Sequence, residues 1–238
     1  MADYKKPDYW QQKARQEGYP ARSVYKLKEI DEKFALFKPP AQLKQTAIRV
    51  LDIGAAPGSW SLYVLRKIAA ANGAAKAGGA AKAGGAAKAS GAGLKNAFLA
   101  AADLSPLSRE FDSDSRNRGL FDNDNFFFIQ GDVTDAETRE ALVSKGPYNV
   151  IISDVAPSTT GNHIVDSARS LGLAETVLDY AESSLAPCGN LAVKVFQGSG
   201  IDALLKRMRT LFTTAKSFKP QACRGESVET YFIGLGKK

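Results

Sequence analysis

Residues 50–60 read Val50-Leu51-Asp52-Ile53-Gly54-Ala55-Ala56-Pro57-Gly58-Ser59-Trp60. Val50, Leu51 and Ile53 make the short apolar run of a buried strand, with Asp52 near its end. Gly54 to Trp60 then supply a tight glycine and proline turn that opens a helix. A strand that carries an acidic group at its end and runs into such a turn lets an α/β fold bring bare backbone up to a nucleoside-bearing ligand. Two ligand classes are excluded by the wording of the turn. It lacks the three spaced glycines of a dinucleotide fingerprint, and no Lys-Ser/Thr pair follows to make a P-loop.

Working outward, β-rich runs at 49–53, 97–102, 126–130, 148–153, 190–196, 216–219 and 230–235 alternate with helical patterns at 60–70, 134–144, 165–185 and 200–212. Such alternation predicts an α/β fold with a mostly parallel seven-stranded sheet and helices on both faces. The last two strands are too close for a helical crossover and read as an antiparallel pair at one edge. Residues 1–44 form an N-terminal extension and 45–238 the main domain. In the extension, Ser23 is placed to cap a helix carrying Val24, Leu27, Ile30, Phe34 and Phe37 at helical spacing, with Lys38-Pro39-Pro40 ending it. The basic and aromatic residues before it (Lys5, Lys6, Tyr9, Trp10, Lys13, Arg15, Tyr19, Arg22) either face a polyanion or staple the arm to the body.

Two insertions interrupt the pattern. Residues 69–93 repeat Gly-Ala-Ala-Lys-Ala-Gly from Gly73 and Gly79, and again from Gly85 with Ser90 in the last place. Paired glycines oppose helix, and a six-residue step scatters the lysines, so a disordered surface loop is expected. Residues 108–125 are polar and turn-rich and read as a solvated loop, since Arg116 falls where a calcium loop needs a ligand.

A length of 238 residues with 44% apolar content is enough for one good core. The net charge is +7; Lys76, Lys82 and Lys88 of the repeat account for three units, leaving +4 on the remainder. That balance suits RNA and equally suits a solvated surface. Cys188 and Cys223 stand 35 positions apart, with neither metal-site nor disulfide spacing, so reduced thiols are expected. No apolar run reaches the ~18 residues of a membrane span, and the N-terminus has no apolar signal core. A cytoplasmic monomer without a metal is expected.

The stretch 52–60 resembles motif I of S-adenosylmethionine (SAM) methyltransferases, in particular the FtsJ/RrmJ family of RNA ribose 2′-O-methyltransferases. Ile152-Ser153-Asp154-Val155-Ala156-Pro157 is similar to the family's motif IV. In Leu191-Ala192-Val193-Lys194-Val195-Phe196-Gln197-Gly198, a lysine interrupts an apolar strand, where it must snorkel, pair with a carboxylate or serve a site. The resemblance covers roughly residues 8–68, 95–107 and 126–238, and the two insertions depart from it. It implies a Rossmann-like SAM methyltransferase fold, SAM as cofactor, and a catalytic tetrad of Lys26, Asp154, Lys194 and Glu229.

Asp52, Asp103, Asp132 and Asp154 each follow or end a strand. One alone would be a routine helix cap; four on one rim mark where ligands sit in open α/β sheets. By resemblance, Asp52 and the turn residues Gly54, Pro57, Gly58, Ser59 and Trp60 bind SAM, with Gly58 and Trp60 approaching its methionine portion, Asp103 its ribose and Asp132 its adenine amine. Asp154 would lie between cofactor and substrate, while Trp60 competes for a role as anchor of the first helix. Lys194 is expected to accept the ribose hydroxyl proton, oriented by the two carboxylates, with Lys26 positioning ribose or phosphate. His163 is expected on a loop surface. The expected substrate is a uridine of large-subunit (23S-type) ribosomal RNA. A tRNA anticodon-loop enzyme and a catalytically silent RNA-binding or ribosome-assembly protein are the alternatives.

Overall fold

A computed structural model describes residues 8–38, 47–76, 94 and 96–238. Its strands are β1 Arg49–Ile53, β2 Phe98–Asp103, β3 Phe126–Gln130, β4 Tyr148–Ser153, β5 Leu185–Phe196, β6 Phe212–Phe218 and β7 Glu229–Lys237. The helices are α1 Tyr9–Gln16, α2 Val24–Phe34, α3 Ser59–Lys76, α4 Ala136–Val143, α5 His163–Ser184 and α6 Ile201–Leu211. The described residues form one seven-stranded sheet in the order β3-β2-β1-β4-β5-β7-β6. β1 to β5 pair in parallel, and β7 slots antiparallel between β5 and the edge strand β6. The chain reverses direction of growth between β1 and β4, and the crevice at that switch point is where such sheets take ligands.

Strand alternation divides the core. Val50, Leu99, Val150, Ile152, Ala192, Tyr231 and Ile233 pack with α2 and α3 on one face. Leu51, Ile53, Ala100, Ala102, Ile151, Leu191, Val193 and Phe232 pack with α5 and α6 on the other. Because side chains alternate at period two, Asp52 and Lys194 belong to the α2–α3 face. Among the described residues no helix is long and apolar enough to cross a membrane.

The extension shares this core. Tyr19, Tyr25, Val24, Leu27 and Ile30 are all buried, whereas Tyr9 is 68% exposed. The structure adds α1, which the aromatic and basic arm had not suggested; the Asp8 carboxylate caps it by accepting from the Gln11 N–H. Ser23 does not cap α2: its backbone is already helical and its side chain makes no cap bond. The helix also stops early, at Phe34, where Ala35 takes a left-handed φ of 51°. Phe37 is buried from beyond the helix end, and Pro39 and Pro40 lie outside the described residues.

Both insertions differ from expectation. Residues 69–76 continue α3, since alanine is the best helix former and one exposed glycine is tolerated; 77–93 lie outside the described residues. The segment 108–125 is not wholly solvated. Leu120, Phe121 and Asn117 are buried, and the Asn117 amide donates to the Gly18 and Phe111 carbonyls. Its Ser108 N–H donates to the Pro57 carbonyl, so this loop braces the glycine turn.

Gly54 shows how tightly that turn is built. Its φ is +79°, and a Cβ there would lie 2.6 Å from the Val155 backbone, in the loop after β4. Gly54→Ala combines left-handed strain with a backbone clash, each worth roughly 1–3 kcal/mol. A loss of about 2–6 kcal/mol in urea unfolding is expected, with weakened methyl-donor binding.

Candidate active site

The rim of acids begins at β1. Asp52 is fully buried; its Oδ2 accepts from the Ser61 hydroxyl at 2.7 Å, while its Oδ1 finds no partner. Burial, with the Asp154 and Asp103 charges adding to it, pushes the carboxyl up to about 7 despite the Ser61 bond. Asp103 ends β2 and holds the turn: its Oδ2 accepts from the Ala56 N–H at 3.0 Å and its Oδ1 from the Ser105 N–H at 2.8 Å. Asp132 follows β3, and the Thr134 N–H and hydroxyl keep its carboxyl below the usual range.

Asp52 gives a pH signature. The unfolded carboxyl ionises near pH 4 and the folded one near 7, so the native state holds the extra proton in between and stability falls as pH rises across that window. Asp52→Asn keeps an acceptor for Ser61 and removes this slope. The variant is expected to gain stability on the wild type from pH 4 to 7 and to hold a constant margin above, on the order of a few kcal/mol, read by urea melts at several pH values.

Four side chains distant in sequence meet at the other side of the switch point. Lys194 and Tyr231 are direct partners in the β5–β7 ladder, and Phe196 pairs Glu229. The Lys194 Nζ donates to the Asp154 carbonyl at 2.5 Å and lies 3.1 Å from Asp154 Oδ1. Lys26, delivered by α2, donates to Glu229 Oε2 at 2.6 Å. The two pairs are joined by Tyr231, whose hydroxyl donates to Asp154 Oδ1 at 2.6 Å while Lys26 Nζ stands 5.9 Å from its ring centroid. Burial alone would raise the Asp154 carboxyl, but the Lys194 and Lys26 ammonium groups and the Tyr231 hydroxyl hold it below its ordinary value. Burial likewise works against the Lys26 charge, and the Asp154 and Glu229 carboxylates outweigh it, leaving that pKa raised.

Two turn residues have their polar side-chain atoms bonded to the approach to α2. The Ser59 hydroxyl accepts from the Ala21 N–H and donates to the Ala21 carbonyl, and the buried Trp60 donates its indole N–H to the Ser23 carbonyl at 2.8 Å. Trp60 also packs on Tyr231, ring centroids 5.9 Å apart. The Ser59 hydroxyl and the Trp60 indole N–H are thereby taken up in setting the entry to α2, and so the place of Lys26. Pro57 and Gly58 lie on the turn, with Phe121 of the second insertion 2.9 Å from where a Gly58 Cβ would stand.

Sequence reading missed Tyr231 and Ser61. Tyr231 lies two residues after Glu229, hence on the same strand face, but only the antiparallel register brings it opposite Lys194. His163 is not in a loop: it is the exposed first residue of α5. It lines a cleft of about 520 Å³ whose other walls include Lys26, Glu229, Phe196, Arg22 and Arg224. The cleft reaches the Lys26–Glu229 pair, while Asp103, Asp132, Asp154 and Lys194 are not among its lining residues.

A sheet of this order, with a glycine turn at its switch point and acids on its rim, defines a Rossmann-like methyltransferase fold. A ribosomal RNA methyltransferase of Plasmodium falciparum superposes with a TM-score of 0.62 at 20% identity, over 92% of this chain and 98% of that one. Human methyltransferase-like protein 13, solved with SAH, gives 0.52 at 15% identity, over 87% and 80%. The chain belongs to the FtsJ-like methyltransferase family, whose model matches residues 19–237. The ribosomal RNA large subunit methyltransferase E of Treponema denticola is 41% identical over 99% of this chain and 97% of that protein. The enzyme of the same name from Oleidesulfovibrio alaskensis is 41% identical over 97% and 92%. This protein is therefore a methyltransferase.

Proposed function

We propose that this enzyme transfers a methyl group from SAM to a ribose 2′-hydroxyl of large-subunit ribosomal RNA, at a uridine, acting as a monomer in the cytoplasm. The observation that carries the reading is the joining of the Lys26–Glu229 and Lys194–Asp154 pairs beside a cleft open to substrate. The names of relatives 41% identical over nearly full length support ribosomal RNA as the substrate.

The residues present fit SAM. Asp103 and Asp132 are half-buried carboxylates suited to ribose hydroxyls and the adenine amine, and Asp52 Oδ1 is a buried acceptor in need of a donor. Gly54 and Gly58 leave the backbone bare beside them. When bound, SAM supplies an electrophilic methyl group on a sulfonium. The protein's part is alignment and proton handling. Asp154 fixes the Lys194 amine through its carbonyl and Oδ1, leaving Nζ one direction for the ribose hydroxyl; once the ammonium has given a proton to solvent, its lone pair takes that direction and accepts the hydroxyl proton as methyl moves from sulfur to oxygen. Lys26, held by Glu229 at the cleft wall, orients the ribose or its phosphate.

The test is tritiated SAM offered with intact large subunits, deproteinised large-subunit RNA and bulk tRNA. Label in large-subunit RNA, as a 2′-O-methyluridine, is the expected result. Label in tRNA redirects the substrate, and SAM binding with no label in any RNA overturns the catalytic reading.

A further inference from the structure

The two walls of the cleft differ in charge. Its lining cations, Arg22, Lys26 and Arg224, come from the approach to α2, α2 itself and the segment before β7, where they outnumber the Glu226 and Glu229 carboxylates of the same wall. The opposite wall, contributed by residues 159–167, carries no Lys or Arg and bears the Asp166 carboxylate. Phosphates therefore belong against the first wall, and the second is left for an uncharged part of the nucleotide.

That second wall is rigid. Asp166 accepts from the Thr160 N–H, the Thr160 hydroxyl and the Gly161 N–H, and Asn162 caps α5 by accepting from the Ile164 and Val165 N–H groups. On this braced corner His163 is exposed into the cleft, and Ile164 beside it is 78% exposed, with Val165 at 37%. Large apolar side chains held out to water on a fixed helix start, at the mouth of an active-site cleft, mark a contact surface. Lys194 is 5% exposed and Asp154 16%, so a ribose inside a stacked helix cannot reach them. The nucleotide has to leave its stack, and its base then needs an apolar seat.

We propose that His163 and Ile164 form that seat: they pack against the nucleobase of the methylated nucleotide, opposite the basic wall that takes its phosphates. The proposal rests on the RNA reading above and extends it to two residues outside the tetrad.

Methyl transfer onto transcribed large-subunit RNA tests it, with kcat and KM for RNA measured for the wild type, Ile164→Ala and His163→Ala, and for the conservative pair Ile164→Leu and His163→Phe. Packing and stacking contacts with a base are worth about tenfold or more each. Each alanine variant is expected to lose about tenfold in kcat/KM for RNA, with SAM affinity and melting temperature unchanged, and the conservative variants to recover most of it. Because the contact is uncharged, the salt dependence of RNA binding stays the same in all of them. Alanine variants within twofold of the wild type overturn the proposal, as does a shallower salt dependence, which means a phosphate sits there. Where label enters intact large subunits and not the transcript, the same variants are compared on subunits; no label from the wild-type enzyme on either substrate overturns the ribosomal reading as well, so the two failures are told apart.

Discussion

Lys194→Ala is expected to lower kcat for methyl transfer by about 10³-fold, within the 10²–10⁴ range of a positioned acid–base group. RNA and SAM affinities should stay within about threefold. Lys194 is buried between β7 and the start of the motif IV loop and touches Asp154 twice, so its amine is oriented before substrate arrives. Removing it leaves Asp154 with the Tyr231 hydroxyl and the Lys26 charge, so the fold survives the change. Lys194→Arg separates proton acceptance from charge, because a guanidinium keeps its proton. It is expected to be as inactive as the alanine variant. Single-turnover rates with saturating RNA are the measurement, and near-wild-type turnover in either variant removes Lys194 from the role of proton acceptor.

Asp154→Ala should cost about 3–5 kcal/mol of stability as well as activity, the usual consequence of taking one partner from a buried charge pair. Asp154 serves three groups at once: the Lys194 amine, the Tyr231 hydroxyl and, by its charge, Lys26. The alanine leaves the buried Lys194 ammonium with only the backbone carbonyl at position 154 and no counter-charge from it, and the buried Tyr231 hydroxyl without its acceptor. The sign of the pH effect follows from the lowered carboxyl of the native state. Unfolded Asp154 binds a proton more readily, so its contribution is complete above about pH 4 and disappears as pH falls through the lower native value. The gap between wild type and variant in urea melts should therefore be full at pH 7 and shrink below pH 4. A constant gap across that range means that packing, and not the charge, was lost.

Much of this site was legible along the chain, because its parts lie at strand ends and strands announce themselves by apolar runs. Asp52, Asp103, Asp132 and Asp154 could be placed on one rim from strand order alone, and Lys194 stood out as a charge inside an apolar run. Glu229 was singled out by its position before Thr230-Tyr231. Tyr231 was not, since an aromatic in a strand is ordinary core until its cross-strand partner is known. Ser59 was read toward the ligand and Trp60 toward it or as a helix anchor; their polar atoms bind the carbonyls and N–H of Ala21 and Ser23, a contact across some 38 residues that no local pattern announces. The end of α2 was misplaced for a local reason: Ala35 takes a left-handed turn that no sequence preference announces.

The amino-acid sequence by itself determined the alternation of strands and helices, the glycine turn and the acids along one rim, because apolar periodicity and turn chemistry are local properties. Only the tertiary structure decided that two lysines and two acids from α2, the β4 exit, β5 and β7 form one joined cluster. Their meeting depends on the antiparallel register of β7 against β5 and on Trp60 docking α2 over the sheet. Those contacts are set by which faces can be buried together, and burial is a property of the whole fold.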